Sequence, residues 1–337
     1  MYSAREERLS AGGKEKIQEL NKYKTIPNGI SDIEFEEAFK SEFEFSFDEY
    51  KEVILFLIEY AEEQDFLNNI CEISINMLIE RLENKVDKEV ILKILDKLSL
   101  QERDDFLNPP NPYKKEDVYP WRFNREMSLT RRPLIIYNGN IIYGYRNLCN
   151  SIMFLLDLIQ TCKIKATSQK MKNYISKLEN IKGQAFNDLV YNYISDYKEF
   201  IIDKNVEKVN SKKITGEDNN VLGDIDILCI SEEKGIISVI ETKDFYLAKN
   251  FYEIYNEYKK MFDISNNKSF YNKHMKRVEW VKSHIDDIKM QYKLSDKKWK
   301  VTYLFIVDDN LISKDVFELN IRISTLRNLG KDILLNS

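Results

Sequence analysis

Two neighbouring segments of the 337-residue chain place charged side chains in runs that otherwise read as buried strand. In "VLGDIDILCI" the charges are Asp224 and Asp226; in "GIISVIETK" they are Glu241 and Lys243. Both runs are apolar on both faces of an extended chain, the pattern of strands covered on two sides. Charges in such strands need a reason. The loop between them, Glu232 to Gly235, suits a hairpin. With Ser231 opposite Ile236, Asp226 falls directly across from Glu241, their Cβ atoms about 5 Å apart. Side chains alternate, so Lys243 shares the face of Glu241 and Asp224 that of Asp226. A slip of one residue would separate the two acids.

Carboxylates that close repel, and one takes up a proton unless a cation holds them together. Mg²⁺ accepts one or two carboxylates and fills the rest of its shell with water and phosphate oxygens, and Mn²⁺ suits the same oxygen donors. The ammonium of Lys243 could orient or help deprotonate a water and offset charge on a phosphorane-like transition state. The chemistry implied is hydrolysis of a phosphodiester. The competing reading is an ordinary surface ion pair between Glu241 and Lys243 on a half-exposed hairpin, and the two-sided apolar pattern weighs against it.

Residues 31 to 105 read as helices, with "FDEYKEVILFLIEYAEEQ" and "DKEVILKILDKL" apolar at three- and four-residue spacing. "NPPNPYKKEDVYP", from Asn108 to Pro120, holds four of the six prolines and marks a boundary. Asn138-Gly139 then divides two β-branched and aromatic runs, the signature of a type I′ hairpin. Helix returns from Ser151 to about Ser195, followed by three strands, helices at about 246 to 263 and 269 to 292, the strand "KWKVTYLFIVDD", and "FELNIRIST" leading into a last short helix. The expected division is 1–108, a helical accessory or regulatory region; 109–150, a proline-rich linker and hairpin; and 151–337, an α/β domain with a mixed sheet flanked by helices.

Asp226 followed after fourteen residues by Glu241-Thr242-Lys243 resembles the signature of the PD-(D/E)xK nuclease superfamily, whose fold is restriction-endonuclease-like. The element order from about 180 onward, helix, three strands, helix, strand, is similar too. The resemblance implies that Asp226 and Glu241 ligate the metal, Mg²⁺ or Mn²⁺, and that Lys243 supports the attacking water. Many members carry a Glu on the first core helix, where "GQAFNDL" has Asn187 and then Asp188. Either Asn187 ligates through its amide oxygen, Asp188 substitutes, or the site holds one metal; the reading favours Asn187. Asp224 either supports the ligands from behind or is a structural strand residue. In such enzymes the helix after the ExK strand often carries basic or polar residues toward the scissile phosphate, which here singles out Lys273, Lys276 and Arg277, with His274 beside them.

The net charge of −5 is unevenly spread: residues 31–100 hold 19 acids against 7 bases, and 268–300 hold 10 bases against 4 acids. The expected partner is nucleic acid, DNA before RNA, with a homo-oligomer or a regulatory protein partner also compatible. No apolar run is long enough to span a membrane, and the charged start of the chain lacks a signal core, so a cytoplasmic protein is expected. Cys71, Cys149, Cys162 and Cys229 are far apart among apolar neighbours and read as free thiols. With only His274 and His284, a histidine-based metal triad is excluded. P-loop, GxGxxG, GxSxG and HExxH motifs are absent. Two functions follow: a metal-dependent nuclease, by analogy in restriction or anti-phage defence with DNA repair also open, or a catalytically silent nuclease-like module that binds nucleic acid or assembles with partners. Arg122, Arg125, Arg131 and Arg132 are further candidates to touch DNA or a partner.

Overall fold

The structure, a computed structural model, describes residues 32–64, 70–100, 102–120, 125–216, 219–245, 248 and 251–335. The chain falls into two compact units, 1–179 and 180–337.

In the first unit, α1 (Asp32–Phe43) and α2 (Phe47–Glu63) come first. Ser46 caps α2: its hydroxyl accepts from Glu49 N, while the Glu49 carboxylate accepts from Ser46 N, a reciprocal capping box. One face of α2 then buries Tyr50, Val53, Ile54, Leu57, Ile58 and Ala61. Next come β1 (Ile70–Ser74), α3 (Ile75–Leu82), α4 (Lys88–Leu98) and β2 (Ser99–Leu100). These two strands correct the all-helical expectation for 31–105: with Cys71 and Ile73 buried at period two, β1 is too short to stand out beside helices. The hairpin β3 (Leu134–Tyr137) and β4 (Asn140–Gly144) forms where Asn138-Gly139 places it, with both turn residues at positive φ, 48° and 76°.

β1 pairs antiparallel with β4, and β2 pairs parallel with β3, giving the order β1-β4-β3-β2. Strands from both sides of the proline-rich segment share this sheet, so that segment is a connection within the unit and not the boundary expected near 108. The hairpin runs directly into α5 (Tyr145–Gln160). Two of the arginines considered for DNA contact are engaged within the protein: buried Arg132, 4% exposed, donates to Asp96 O at 3.1 Å and Ser99 O at 3.0 Å, and half-buried Arg131 pairs with Glu126 at 2.9 Å. Arg122 lies outside the described residues.

The division between units falls inside α6 (Gln169–Ser195). Its first turns bury Met171, Tyr174 and Leu178 and pair Lys170 with Glu37 and Lys177 with Glu34 in the first unit. Its later turns bury Phe186, Val190 and Ile194 in the second.

The second unit continues with β5 (Phe200–Val206), the short β6 (Lys208–Val209) and β7 (Lys212–Lys213), β8 (Ile225–Ser231) and β9 (Ile236–Lys243). After β9 come α7 (Phe251–Met261), α8 (Phe270–Ser283) and α9 (Ile285–Tyr292), then β10 (Lys300–Val307), α10 (Ile312–Val316), β11 (Ile323–Thr325) and α11 (Lys331–Leu335). The expected start of the first of these helices, near 246, falls partly on residues outside those described. The order of the five-stranded sheet is β11-β10-β9-β8-β5, antiparallel across β5, β8 and β9 and parallel across β9, β10 and β11. The fold is α/β with mixed sheets flanked by helices and a helical N-terminal region, as the sequence suggests.

Both faces of this sheet are covered, which accounts for strands that are apolar throughout. Leu228, Ile230, Ile237 and Val239 meet Val278, Trp280 and Val281 of α8 and Ile288 of α9. Ile227, Cys229, Ile240, Leu304 and Ile306 meet Phe186, Val190 and Ile194 of α6. Burying a side chain of this size contributes about 1.5–3 kcal/mol. The covered sheet is therefore a rigid frame for whatever stands at its ends.

Candidate active site

β8 and β9 pair in the register that their loop length predicts, from Ser231 opposite Ile236 to Ile227 opposite Ile240. There the paired stretch ends, and Asp226 and Glu241 hold the next positions. Beyond it, Thr242 N donates to Asp226 Oδ2 at 2.7 Å, and Thr242 Oγ1 meets the same oxygen at 3.2 Å. The carboxylate thus takes the place of a strand partner where the two strands part. On the other side of β9, Phe305 of β10 lies beside Glu241 and Val307 beside Lys243. The site stands at the carboxyl ends of two parallel strands, the position at which open α/β sheets hold ligands.

Lys243 ties the acids together. Its Nζ lies 2.8 Å from Glu241 Oε1 and 3.4 Å from Asp226 Oδ2, and it donates to Thr242 O at 2.8 Å. The other oxygen of Glu241, Oε2, accepts from Arg277 Nη1 of α8 and lies 3.4 Å from His274 Nδ1. Arg277 is itself held by a bond from Nε to Leu222 O at 3.0 Å. Helical spacing explains the pair, since residues three apart on α8 stack on one face. The side chain of Glu241 is 3% exposed and that of His274 is 1% exposed.

Burial pushes the Asp226 carboxyl up, and nearby Glu241 adds to this, while Lys243, the Thr242 N–H and Arg277 oppose it. Burial would raise Glu241 too, but Lys243, His274 and Arg277 outweigh it and hold that carboxyl well below the usual range. Burial would lower Lys243, yet Glu241 and Asp226 raise it above its ordinary value. The environments therefore push the two carboxyls in opposite directions, a feature common at sites that do chemistry.

Residues 4–305 match the family described as anti-phage protein Upx-like. The chain belongs to this family. No curated protein and no solved structure matches. Among the described residues no helix is long and apolar enough to cross a membrane.

In this anti-phage protein the other residues singled out by sequence fall in different places. Asn187 is buried on α6, where its Nδ2 donates to Asn205 Oδ1 at 2.8 Å and its own buried Oδ1 has no hydrogen-bond partner among the described residues. Asn205 has a left-handed backbone, φ 52°, and lies at the β5 register position facing Asp226. Asp188 is exposed and pairs with Lys204 at 2.6 Å, while Asp224 is half-buried just before β8. Lys273 and Lys276 are exposed on α8, whereas Arg277 is turned inward to Glu241 instead of facing outward with them. His274, a further candidate from sequence, packs with its ring centre 4.7 Å from that of Phe305, beside Glu241. Asp244 escaped the sequence reading: burial and Asp308 raise its carboxyl, against Lys182. Its position directly after Lys243 was the available signal.

Asp226 presents an oxygen to a hard divalent cation, and Glu241 would join it by giving up Lys243 or Arg277. All three donors to Asp226 meet Oδ2, which leaves Oδ1 without a hydrogen bond among the described residues. No group of three or more His, Cys, Asp or Glu that could hold a metal occurs among the described residues. Mg²⁺ does not need one, since it keeps several waters and is held through one or two carboxylates with substrate phosphate. Asp226 and Glu241 are the residues that would hold it.

Proposed function

We propose that the chain is a metal-dependent nuclease of the PD-(D/E)xK type that hydrolyses phosphodiester bonds, DNA before RNA, as its contribution to anti-phage defence. The observation that carries this reading is the hairpin register, which brings Asp226 and Glu241 onto the single ammonium of Lys243. Asp226 and Glu241 would hold the cation. Bound there, Mg²⁺ or Mn²⁺ would supply Lewis acidity toward a phosphate oxygen. Lys243 would orient the attacking water and offset negative charge as it develops on the phosphate. Asn187, whose buried amide oxygen has no hydrogen-bond partner among the described residues, is proposed to complete the acidic end from α6.

A second reading has an observation of its own. Both oxygens of Glu241 are engaged, Oε1 by Lys243 and Oε2 by Arg277, with His274 Nδ1 3.4 Å from Oε2, as in a site that has become structural. A nuclease-like fold retained for binding would look the same. The deciding experiment is cleavage of supercoiled plasmid, linear duplex, single-stranded DNA and RNA with Mg²⁺, Mn²⁺ or EDTA. Wild type should cut only with metal, and Asp226→Ala should lose about a hundredfold or more in rate, since even the outer partners of metal ligands cost roughly 10–100-fold when removed. Cutting by the variant at the wild-type rate would remove Asp226 from the chemistry.

A further inference from the structure

The outer side of α7 has an unusual composition. Its exposed residues are Phe251, Tyr252, Tyr255, Asn256, Lys259 and Lys260. Three are aromatic, two are cationic, and none is acidic. Phe251 is 86% exposed, Tyr252 52% and Tyr255 48%. The opposite side buries Ile254, Glu257 and Met261, so the helix is already anchored without these rings. Single exposed rings are common on protein surfaces, but three clustered on one helix face with cations between them mark a contact surface.

The cationic end of this face leads to the active site. Lys260 Nζ lies 5.7 Å from the centre of the Phe270 ring and 5.9 Å from that of Phe245, and the two rings stand edge to face at 6.1 Å. Lys243 lies 5.2 Å and Lys273 5.8 Å from the centre of the same Phe270 ring. Ammonium groups from β9, α7 and α8 thus gather round one phenyl group. Lys243 has its acids and Lys259 pairs with Asp263 at 2.8 Å, but Lys260 and Lys273 form no ion pair among the described residues. Lys260 and Lys273, held beside one ring with no counter-charge of their own among the described residues, call for an anion. A chain of phosphates supplies one at each step.

We infer that this surface is a track for an unpaired nucleic-acid strand, with bases stacking on the rings of α7 and phosphates meeting Lys260 and Lys273 on the way to Lys243. This rests on the nuclease reading above and specifies its substrate. Cations alone would serve a duplex equally well. Exposed rings would not, because duplex bases are stacked on one another and their faces are closed to a side chain, whereas every unpaired base offers a face.

The test uses the full chain and fluorescence anisotropy with labelled dT, rU and blunt duplex oligonucleotides in EDTA, so that nothing is cut. Tighter binding of dT or rU than of duplex, by about tenfold, is expected. Phe251→Ser and Tyr255→Ser, at exposed positions, should each weaken single-strand binding about tenfold and leave duplex binding as it was. Their thermal unfolding should match that of wild type, which excludes a folding defect. Duplex bound as tightly as single strand, or ring variants that bind as wild type does, would overturn the inference. So would a wild-type dimer in sedimentation that Phe251→Ser converts to monomer, because the face would then be a contact between copies. Metal-dependent cutting that ignores the rings would sink the track and leave the nuclease; ring-dependent binding without cutting would do the reverse.

Discussion

Removing the charge of Glu241 would leave Lys243 and Arg277 facing one another across a buried carboxamide. Both cations sit against that carboxylate, whose side chain is 3% exposed. Breaking a buried ion group from one side typically costs about 3–5 kcal/mol, because the remaining charge is left without compensation. Glu241→Gln should therefore lower unfolding stability by several kcal/mol, read from urea melts, and Glu241→Gln with Arg277→Met should recover part of the loss. If the double variant is no more stable than the single one, Arg277 is not held by Glu241. The same pairing makes Arg277 a competitor of any cation at the site. Two carboxylates balanced by Lys243 and Arg277 are already neutral, and a divalent ion would add an excess of positive charge. Arg277→Gln should tighten Mn²⁺ binding about tenfold in calorimetry without nucleic acid. Unchanged affinity would show that Arg277 does not guard Glu241.

Elements decide which of these contacts a sequence can disclose. The opposition of Asp226 and Glu241 was legible because one loop length and strict alternation fix it. The grip of α8 on Glu241 was not, since whether Arg277 faces outward with Lys276 or inward depends on how the helix is rotated against the sheet. The same limit hid Asn205, whose left-handed backbone at the β5 position facing Asp226 follows from no composition signal. A comparable contact pins the start of α6. The Glu42 carboxylate of α1 accepts from Thr167 N at 2.9 Å and Ser168 N at 2.8 Å. Burial would raise the Glu42 carboxyl, but these N–H groups and the Thr167 and Ser168 side chains hold it below its ordinary value of 4.5. A folded-state pKa below the unfolded one contributes stability that is fully present above the unfolded value and is lost as pH falls through the folded one. Glu42→Ala should thus cost about 1 kcal/mol at neutral pH, allowing for solvent screening, and the gap from wild type should narrow below the unfolded value. A gap constant with pH would mean that the lost packing, not the charge, sets the cost.

For the whole molecule, 51 basic against 56 acidic residues give a net charge of −5, so its overall field does not draw in a polyanion. The proposed binding to nucleic acid would then depend on a few local cations, and the basic segment 268–300 is where the sequence concentrates them. Lys273 and Lys276 stand exposed on α8, outside the carboxylate cluster that occupies Arg277. Each phosphate contact contributes roughly 0.7–0.9 to the slope of log K against log salt, by release of counterions. Lys273→Gln with Lys276→Gln should therefore flatten that slope by about 1.5 and weaken binding to every sequence alike. The measurement is a salt titration of anisotropy for the full chain in EDTA, wild type against double variant. An unchanged slope would make the outer face of α8 ordinary solvated surface, and a slope flattened by about half that amount would assign one of the two lysines to the backbone and the other to solvent.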